Sequence, residues 1–159
     1  MAQPITLSTN FNLSELTKTS SKLSNAPTSP IIVSNLRALC LNVLEPLRKH
    51  FNKSIIIHSG YRSPAVNNSI GGSKTSQHMK GEAVDFHISG YSVYEVAEWI
   101  ATKEIDYDQL ILENFVPGIA TSGWVHCSYS KENRFQNLTK FKGSKIYHHG
   151  IILSPHKKS

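Results

Sequence analysis

Two side chains of metal-ligand type flank a glycine in the segment SQHMKGEAVDF. His78 lies just before Gly81, and Asp85 lies on the strand predicted to follow it. Gly81 allows the chain to reverse between them, because glycine adopts left-handed backbone conformations at little cost. A neutral imidazole and a carboxylate are ligand types that catalytic zinc uses, together with a third protein ligand and an open position for water. The segment therefore predicts part of a catalytic zinc site.

The third ligand should come from a different strand. In WVHCS, His126 alternates with the apolar residues Val125 and Cys127, so in a strand it faces away from the core. His87 shares a strand face with Asp85 and is the competing ligand. Spacing alone leaves both histidines as candidates.

The remaining histidines have no partner at a metal-site spacing, and we interpret each as a surface or structural residue. If residues 148 and 149 lie in a strand, they point to opposite sides and cannot easily share one metal. The set consists of His50, His58, His148, His149 and His156.

The elements that must position these residues follow from hydrophobic periodicity. Helices are predicted over 33–51, with Ser34 as N-cap and Pro46 kinking the last turns, and over 91–102. Strands are predicted over 54–59, 82–88, 108–113 and 124–129, and a long structured loop over 61–81. The mixture lacks regular βαβ alternation, which favours an α+β fold with a small antiparallel sheet and flanking helices.

The length predicts a single domain spanning 1–159. Its core is expected over about 11–130, followed by a weakly patterned tail over 131–159 in which KIYHHGIIL is a candidate edge strand. Cys40 and Cys127 each lie among apolar residues and are interpreted as buried free thiols.

Three ordered motifs resemble those of the zinc D-alanyl-D-alanine carboxypeptidase family. They are S-G-Y-R-S-P at 59–64, S-x-H-x-x-G-x-A-x-D at 76–85 and W-V-H at 124–126. This family has the vancomycin-resistance D-Ala-D-Ala dipeptidases and phage L-alanyl-D-glutamate endolysins among its relatives, and the hedgehog signalling domain at greater distance. The resemblance runs from about Phe11 to Tyr129 and implies a hedgehog-like, D-Ala-D-Ala-peptidase-like fold.

Carried over by position, the resemblance implies that zinc is bound by His78, Asp85 and His126. It also implies that Arg62 holds the substrate near the scissile bond, where its planar fork suits a carboxylate or a polarised carbonyl. Ser76 would donate a second hydrogen bond to the substrate, and Gln77 would line the same pocket.

The general base departs from the family pattern. Many relatives have Asp or Glu three residues before the last histidine, where this chain has Gly123. Glu113 ends the strand DQLILE and is our first candidate for the base, with Asp108 as the alternative. Glu82 lies an odd number of residues from Asp85 and is expected on the opposite face, exposed.

The composition restricts the partners without choosing one. Lys and Arg outnumber Asp and Glu by 17 to 11, a balance that suits a polyanionic partner such as a cell wall. No nucleic-acid-binding motif is present, and no continuous apolar stretch approaches the ~18 residues that span a bilayer. The N-terminal sequence lacks the pattern of a signal peptide. We therefore expect cytoplasmic synthesis and action on the wall after release.

The function expected from these features is zinc-dependent hydrolysis of peptidoglycan stem peptides, as a carboxypeptidase or an endopeptidase, with a phage endolysin as the favoured context. The alternative is a non-catalytic protein of the same fold that keeps zinc for wall binding or serves as a phage structural component. Oligomeric state is not readable from the sequence.

Overall fold

The computed structural model describes residues 5–155 and contains one six-stranded sheet and one two-stranded sheet. The large sheet has the strand order β3-β4-β6-β5-β7-β8, and β1 pairs with β2. In chain order the strands are β1 Thr6–Ser8, β2 Phe11–Asn12, β3 Ile55–Ser59, β4 Ala83–Ile88, β5 Gln109–Phe115, β6 Trp124–Ser128, β7 Gln136–Phe141 and β8 Tyr147–His149.

The helices are α1 Leu13–Leu16, α2 Pro30–Leu39, α3 Glu45–Phe51, α4 Pro64–Ser69 and α5 Val93–Ile100, with a π-helical segment Cys40–Leu44 between α2 and α3 and a 3-10 helix Gln77–Lys80. The helices α2, α3 and α5 pack their apolar residues into the core on one side of the large sheet. The α+β class is confirmed, as are the four predicted strands to within two residues at each end.

The long predicted helix begins earlier than expected. Ser29, not Ser34, is the N-cap, since its side chain accepts a hydrogen bond from the backbone N–H of Ile31, and Pro30 occupies the first turn. Proline suits that position because the first helical N–H groups have no partner within the helix. The disturbance expected at Pro46 takes the form of the wide π turn before it, in which Glu45 N–H bonds to Cys40 C=O.

The segment Pro30–Phe51 has 22 residues and is long and apolar enough, by length and composition alone, to cross a membrane. We did not predict a possible membrane span here from the sequence, because polar residues interrupt the apolar ones. The same test is passed by core helices of globular proteins, and the apolar residues Leu36, Leu39, Val43 and Leu47 pack here in the hydrophobic core.

Alternation along the central strands separates a core face from a polar face. Val84 and Phe86 of β4 and Val125 and Cys127 of β6 are fully buried against the helices. The intervening residues point to the other face, as the period of two requires. Both cysteines are free and buried, as predicted.

The sheet continues past residue 130, where we expected a weakly patterned tail with one candidate edge strand. β7 adds to β5 in parallel, the one exception to antiparallel pairing in the large sheet, and β8 pairs with β7 as the expected edge strand. The apolar core also includes Leu7 and Phe141, outside the predicted boundaries of 11–130.

The predicted loop over 61–81 contains two short helices. Ser63 caps α4 through a hydrogen bond from Val66 N–H, and Pro64 fills its first turn. The Ser-Pro pair is a helix-start signal that the loop interpretation overlooked. The expected helix over 91–102 is confirmed as α5, which begins after a capping box formed by Ser92 and Glu95.

Candidate metal centre

His78, Asp85 and His126 meet on the polar face of the large sheet. Asp85 and His126 are directly opposite each other on the antiparallel strands β4 and β6, and His126 Nδ1 lies 2.9 Å from Asp85 Oδ1. His78 Nε2 lies 3.4 Å from Asp85 Oδ2. One ligand atom from each residue lies within 4.8 Å of the others, the only such group of three among residues 5–155.

The 3-10 helix holds His78 in a defined orientation. Ser76 caps the helix by accepting the His78 backbone N–H, and Gly81 ends it at φ +76, the reversal predicted from sequence. The His78 ring nitrogen Nδ1 lies 2.7 Å from the carbonyl oxygen of Gly60. A carbonyl only accepts, so Nδ1 carries a proton, and Nε2 is the ring nitrogen that faces Asp85 and could bind a metal.

Asp85 is a buried carboxylate whose charge is held by its surroundings. Burial alone raises its pKa, but the charge of His78 and hydrogen bonds from both histidines lower the pKa well below the usual range. Arg62 adds a further contact, with Nη2 at 3.2 Å from Asp85 Oδ2. The group is therefore ionised and competent as a metal ligand at neutral pH.

Hydrogen bonds hold Arg62 beside the candidate metal centre, and the residue does not lie on the open surface. Its Nε donates to Ser59 and its Nη1 to Asn67, while its backbone N–H donates to the carbonyl of His78. The side chain is 15% exposed, so these partners enclose most of it.

This donor set fits zinc. Two neutral imidazoles and one carboxylate are a known catalytic combination, and the carbonyl contact that fixes the His78 tautomer is the outer-shell support that metal-bound histidines need. When bound, the ion would polarise a substrate carbonyl and acidify a water.

Glu113 lies beside this centre on the neighbouring strand. Ile111 of β5 pairs with His126, and Glu113, two residues further along β5, pairs with Trp124. Glu113 therefore points to the same face of the sheet as His126. Burial raises the pKa of Glu113, the charge of His126 lowers it, and the negative charge of Asp85 raises it, with a net upward shift.

Gly123 occupies the position where many relatives have an acid, and the structure gives the reason for the glycine. Its φ is +71, and a Cβ at this position would clash with the backbone carbonyl oxygen of Glu113. A residue other than glycine at this position would be strained both by the positive φ and by this clash.

Asp108, the alternative base, is saturated with hydrogen bonds. Its carboxylate accepts from Arg134 Nε at 2.7 Å and Nη2 at 3.1 Å, from the Arg134 backbone, and from Gln77 Nε2 at 3.0 Å. Burial raises the pKa of Asp108, and the hydrogen bonds and charge of Arg134 more than offset this, so the pKa is lowered. Glu82 was expected to be exposed but is half-buried and accepts a hydrogen bond from Gln77.

The competing ligand His87 does not join the centre. Its Nδ1 instead lies 2.7 Å from Nε2 of His58 on β3. His50 stacks on Trp99 with ring centroids 4.2 Å apart, a structural contact, and His148 and His149 lie on β8. His156 lies outside the described residues.

A groove with a volume of about 1110 Å³ runs from His126 and Glu113 along the polar face. Ser76 and Gln77, predicted to bind substrate, line it. Several other lining residues were not predicted from the sequence, among them Ile111, Arg134 and Tyr147. Alternation along β5 could have indicated Ile111, whereas the other two lie in the segment interpreted as a tail.

The Peptidase M15 family profile matches residues 9–128, which is more than half of the chain. The chain therefore belongs to the Peptidase M15 family, whose members are metal-dependent peptidases, and the resemblance drawn from the three motifs is confirmed. The comparison with curated proteins finds no match.

Proposed function

We propose that this protein is a zinc-dependent peptidase that cleaves the stem peptides of bacterial peptidoglycan. The observation that carries the proposal is the convergence of His78, Asp85 and His126, with ligand atoms within 4.8 Å of one another, beside a carboxyl group whose pKa is raised. Family membership supports the peptidase activity. The excess of 17 basic over 11 acidic residues suits an anionic wall.

Glu113 is the general base in this proposal. It accepts a proton from the attacking water and passes that proton to the departing amine. A raised pKa suits both steps, since catalytic acid–base groups work best near the operating pH. Asp108 is a poorer candidate, because a carboxylate engaged by Arg134 and Gln77 has neither a free lone pair directed at the site nor a raised pKa.

Arg62 stabilises charge on the substrate. The guanidinium is fixed by Ser59, Asn67 and Asp85, so its orientation is set before substrate arrives. Its remaining N–H groups donate to the scissile carbonyl oxygen as negative charge develops there, which is usually a large catalytic contribution.

The groove favours an endopeptidase over a carboxypeptidase. We base this choice on the open shape of the groove, which continues from His126 and Glu113 past Ser76 and Gln77 to Arg134 and so offers contacts to a peptide segment. We place the activity at the wall after the protein is released, as for a lytic enzyme.

The test is digestion of purified muropeptides, read by mass spectrometry, with the zinc-loaded and the chelator-treated protein. We expect cleavage within the stem peptide only with zinc. Fragments that lack only the terminal D-alanine would instead identify a carboxypeptidase. A zinc-loaded protein that binds wall fragments and cleaves none would support the non-catalytic alternative.

A further inference from the structure

A second pair of histidines lies on the polar face of the sheet, outside the candidate metal centre. His58 is on β3 and His87 is on the neighbouring strand β4. The Nε2 atom of His58 and the Nδ1 atom of His87 are 2.7 Å apart, and the ring centroids are 4.8 Å apart. Neither residue has a role in the proposed peptidase mechanism.

The backbone fixes the two rings in this arrangement. The antiparallel register pairs Ile56 with His87 and Ser59 with Asp85, with an irregularity that places His58 between these two pairs. Strands hold their side chains more rigidly than loops do, so the two nitrogens are kept close together, and binding a metal requires them to separate only to about 3.3 Å, the spacing of two Zn–N bonds of ~2.0–2.1 Å at a tetrahedral angle. His58 is exposed and His87 is partly exposed, so an ion in solution can reach both.

We propose that His58 and His87 form a second divalent-cation site, specific for zinc and similar nitrogen-preferring metals, with water in the remaining positions. Two imidazole nitrogens that face each other from adjacent strands are a chelating pair for such metals, whereas calcium and magnesium prefer oxygen. For chelation, the ring that donates the present hydrogen bond moves its proton to its other nitrogen, so both facing lone pairs become available without net loss of a proton.

The surroundings set a modest affinity. Partial desolvation and the neighbouring His87 lower the pKa of His58, which favours the neutral imidazole that binds metal. Asp85 contributes a favourable negative charge, and Lys18 contributes an unfavourable positive one. With two protein ligands instead of three, this site is weaker than the one formed by His78, Asp85 and His126.

The consequence of binding is structural. β3 is an edge strand of the large sheet, paired only with β4. A cation bound by one histidine from each strand links β3 to β4. It stabilises the folded chain, because the unfolded chain does not present the two ligands together.

The experiment is calorimetric titration of the chelator-treated protein with Zn²⁺. In the wild type we expect two bound zinc ions per chain, one bound tightly (the tight equivalent) and one bound more weakly (the weak equivalent). His58→Gln and, separately, His87→Gln should lose the weaker one and its added thermal stability. His149→Gln, which alters an exposed histidine on the opposite edge strand, is the matched control and should keep both.

A His78→Ala variant separates this inference from the proposed function. It should lose the tight equivalent and retain a weak one that disappears when His58→Gln is added. A weak equivalent that survives in both His58→Gln and His87→Gln, or a wild type that binds a single zinc, would overturn the proposal.

Discussion

The backbone carbonyl of Glu113 occupies the space that a side chain at Gly123 would need. The two residues lie where β5 and β6 meet, with Glu113 paired to Trp124. In many relatives the acid stands three residues before the last histidine, and in this chain that position cannot hold one without moving the backbone. The carboxylate beside the centre comes instead from the neighbouring strand.

The first prediction concerns this close approach. Gly123→Ala should destabilise the protein by more than the ~1–3 kcal/mol typical of backbone strain, because it adds a clash to an unfavourable φ. Urea unfolding gives the free energy. Gly118→Ala is the matched control, since Gly118 has φ +87 but nothing within 4 Å of the added Cβ, and should show the strain alone. Equal losses in the two variants would refute the clash.

The second prediction is that Glu113→Gln is more stable than the wild type at neutral pH. The folded-state pKa of Glu113 is raised, so the folded protein binds this proton more tightly than the unfolded chain does. Stability therefore falls as pH rises from the unfolded value of ~4.3 through the folded pKa, and the penalty persists above it. Glutamine removes the penalty.

The measurement is urea unfolding of both proteins as a function of pH, in the absence of metal. The difference in unfolding free energy should be largest near pH 7–8 and should shrink towards zero below ~pH 4, where the carboxyl is protonated in both states. A difference that does not vary with pH would show that ionisation of Glu113 does not cause it.

The third prediction is that Asp108 stabilises the fold and does not act as the general base. Asp108→Asn should cost about 1–3 kcal/mol of stability, because it weakens charge-assisted hydrogen bonds to Arg134 and Gln77. Its peptidase pH–rate profile should keep the wild-type shape. Stopped assays across pH on muropeptides measure this, and loss of the acidic limb in Asp108→Asn would instead make Asp108 the base.

The fourth prediction concerns Tyr147, which reaches the groove from β8. Tyr147 lines the groove, where its protonated hydroxyl can donate a hydrogen bond to substrate, and partial desolvation and the negative charge of Glu113 raise its pKa further. Tyr147→Phe removes the hydroxyl and Tyr147→Ala also removes the ring. We expect KM to rise in both, more in Tyr147→Ala, with kcat little changed. Unaltered KM in both variants would place Tyr147 outside the substrate site.

Much of the centre was predictable because its residues lie in locally readable elements. Gly81 marks the turn between His78 and Asp85, and alternation in WVHCS puts His126 on the polar face. Spacing could not decide between His126 and His87. The register decides it, since His126 lies opposite Asp85 whereas His87 lies further along β4 beside His58.

Other features depend on contacts between distant segments. Arg134 reaches Asp108 from 26 residues away, and nothing near either residue signals the pairing. β7 joins β5 in parallel, although its sequence QNLTKF shows little hydrophobic alternation, because pairing with an existing strand supplies the order that the local pattern lacks. The carbonyl of Gly60 that orients His78 is a backbone group, which no side-chain pattern reveals.

Glu113→Gln removes the proposed general base of the zinc centre and keeps a side chain of nearly the same size. The measurement is the initial rate of muropeptide cleavage by zinc-loaded wild type and variant at equal, verified zinc content. We expect a rate lower by about 10²–10⁴-fold in Glu113→Gln, the usual contribution of general base catalysis, with zinc still bound. A variant that binds zinc and cleaves at the wild-type rate would contradict the proposal that Glu113 is the general base.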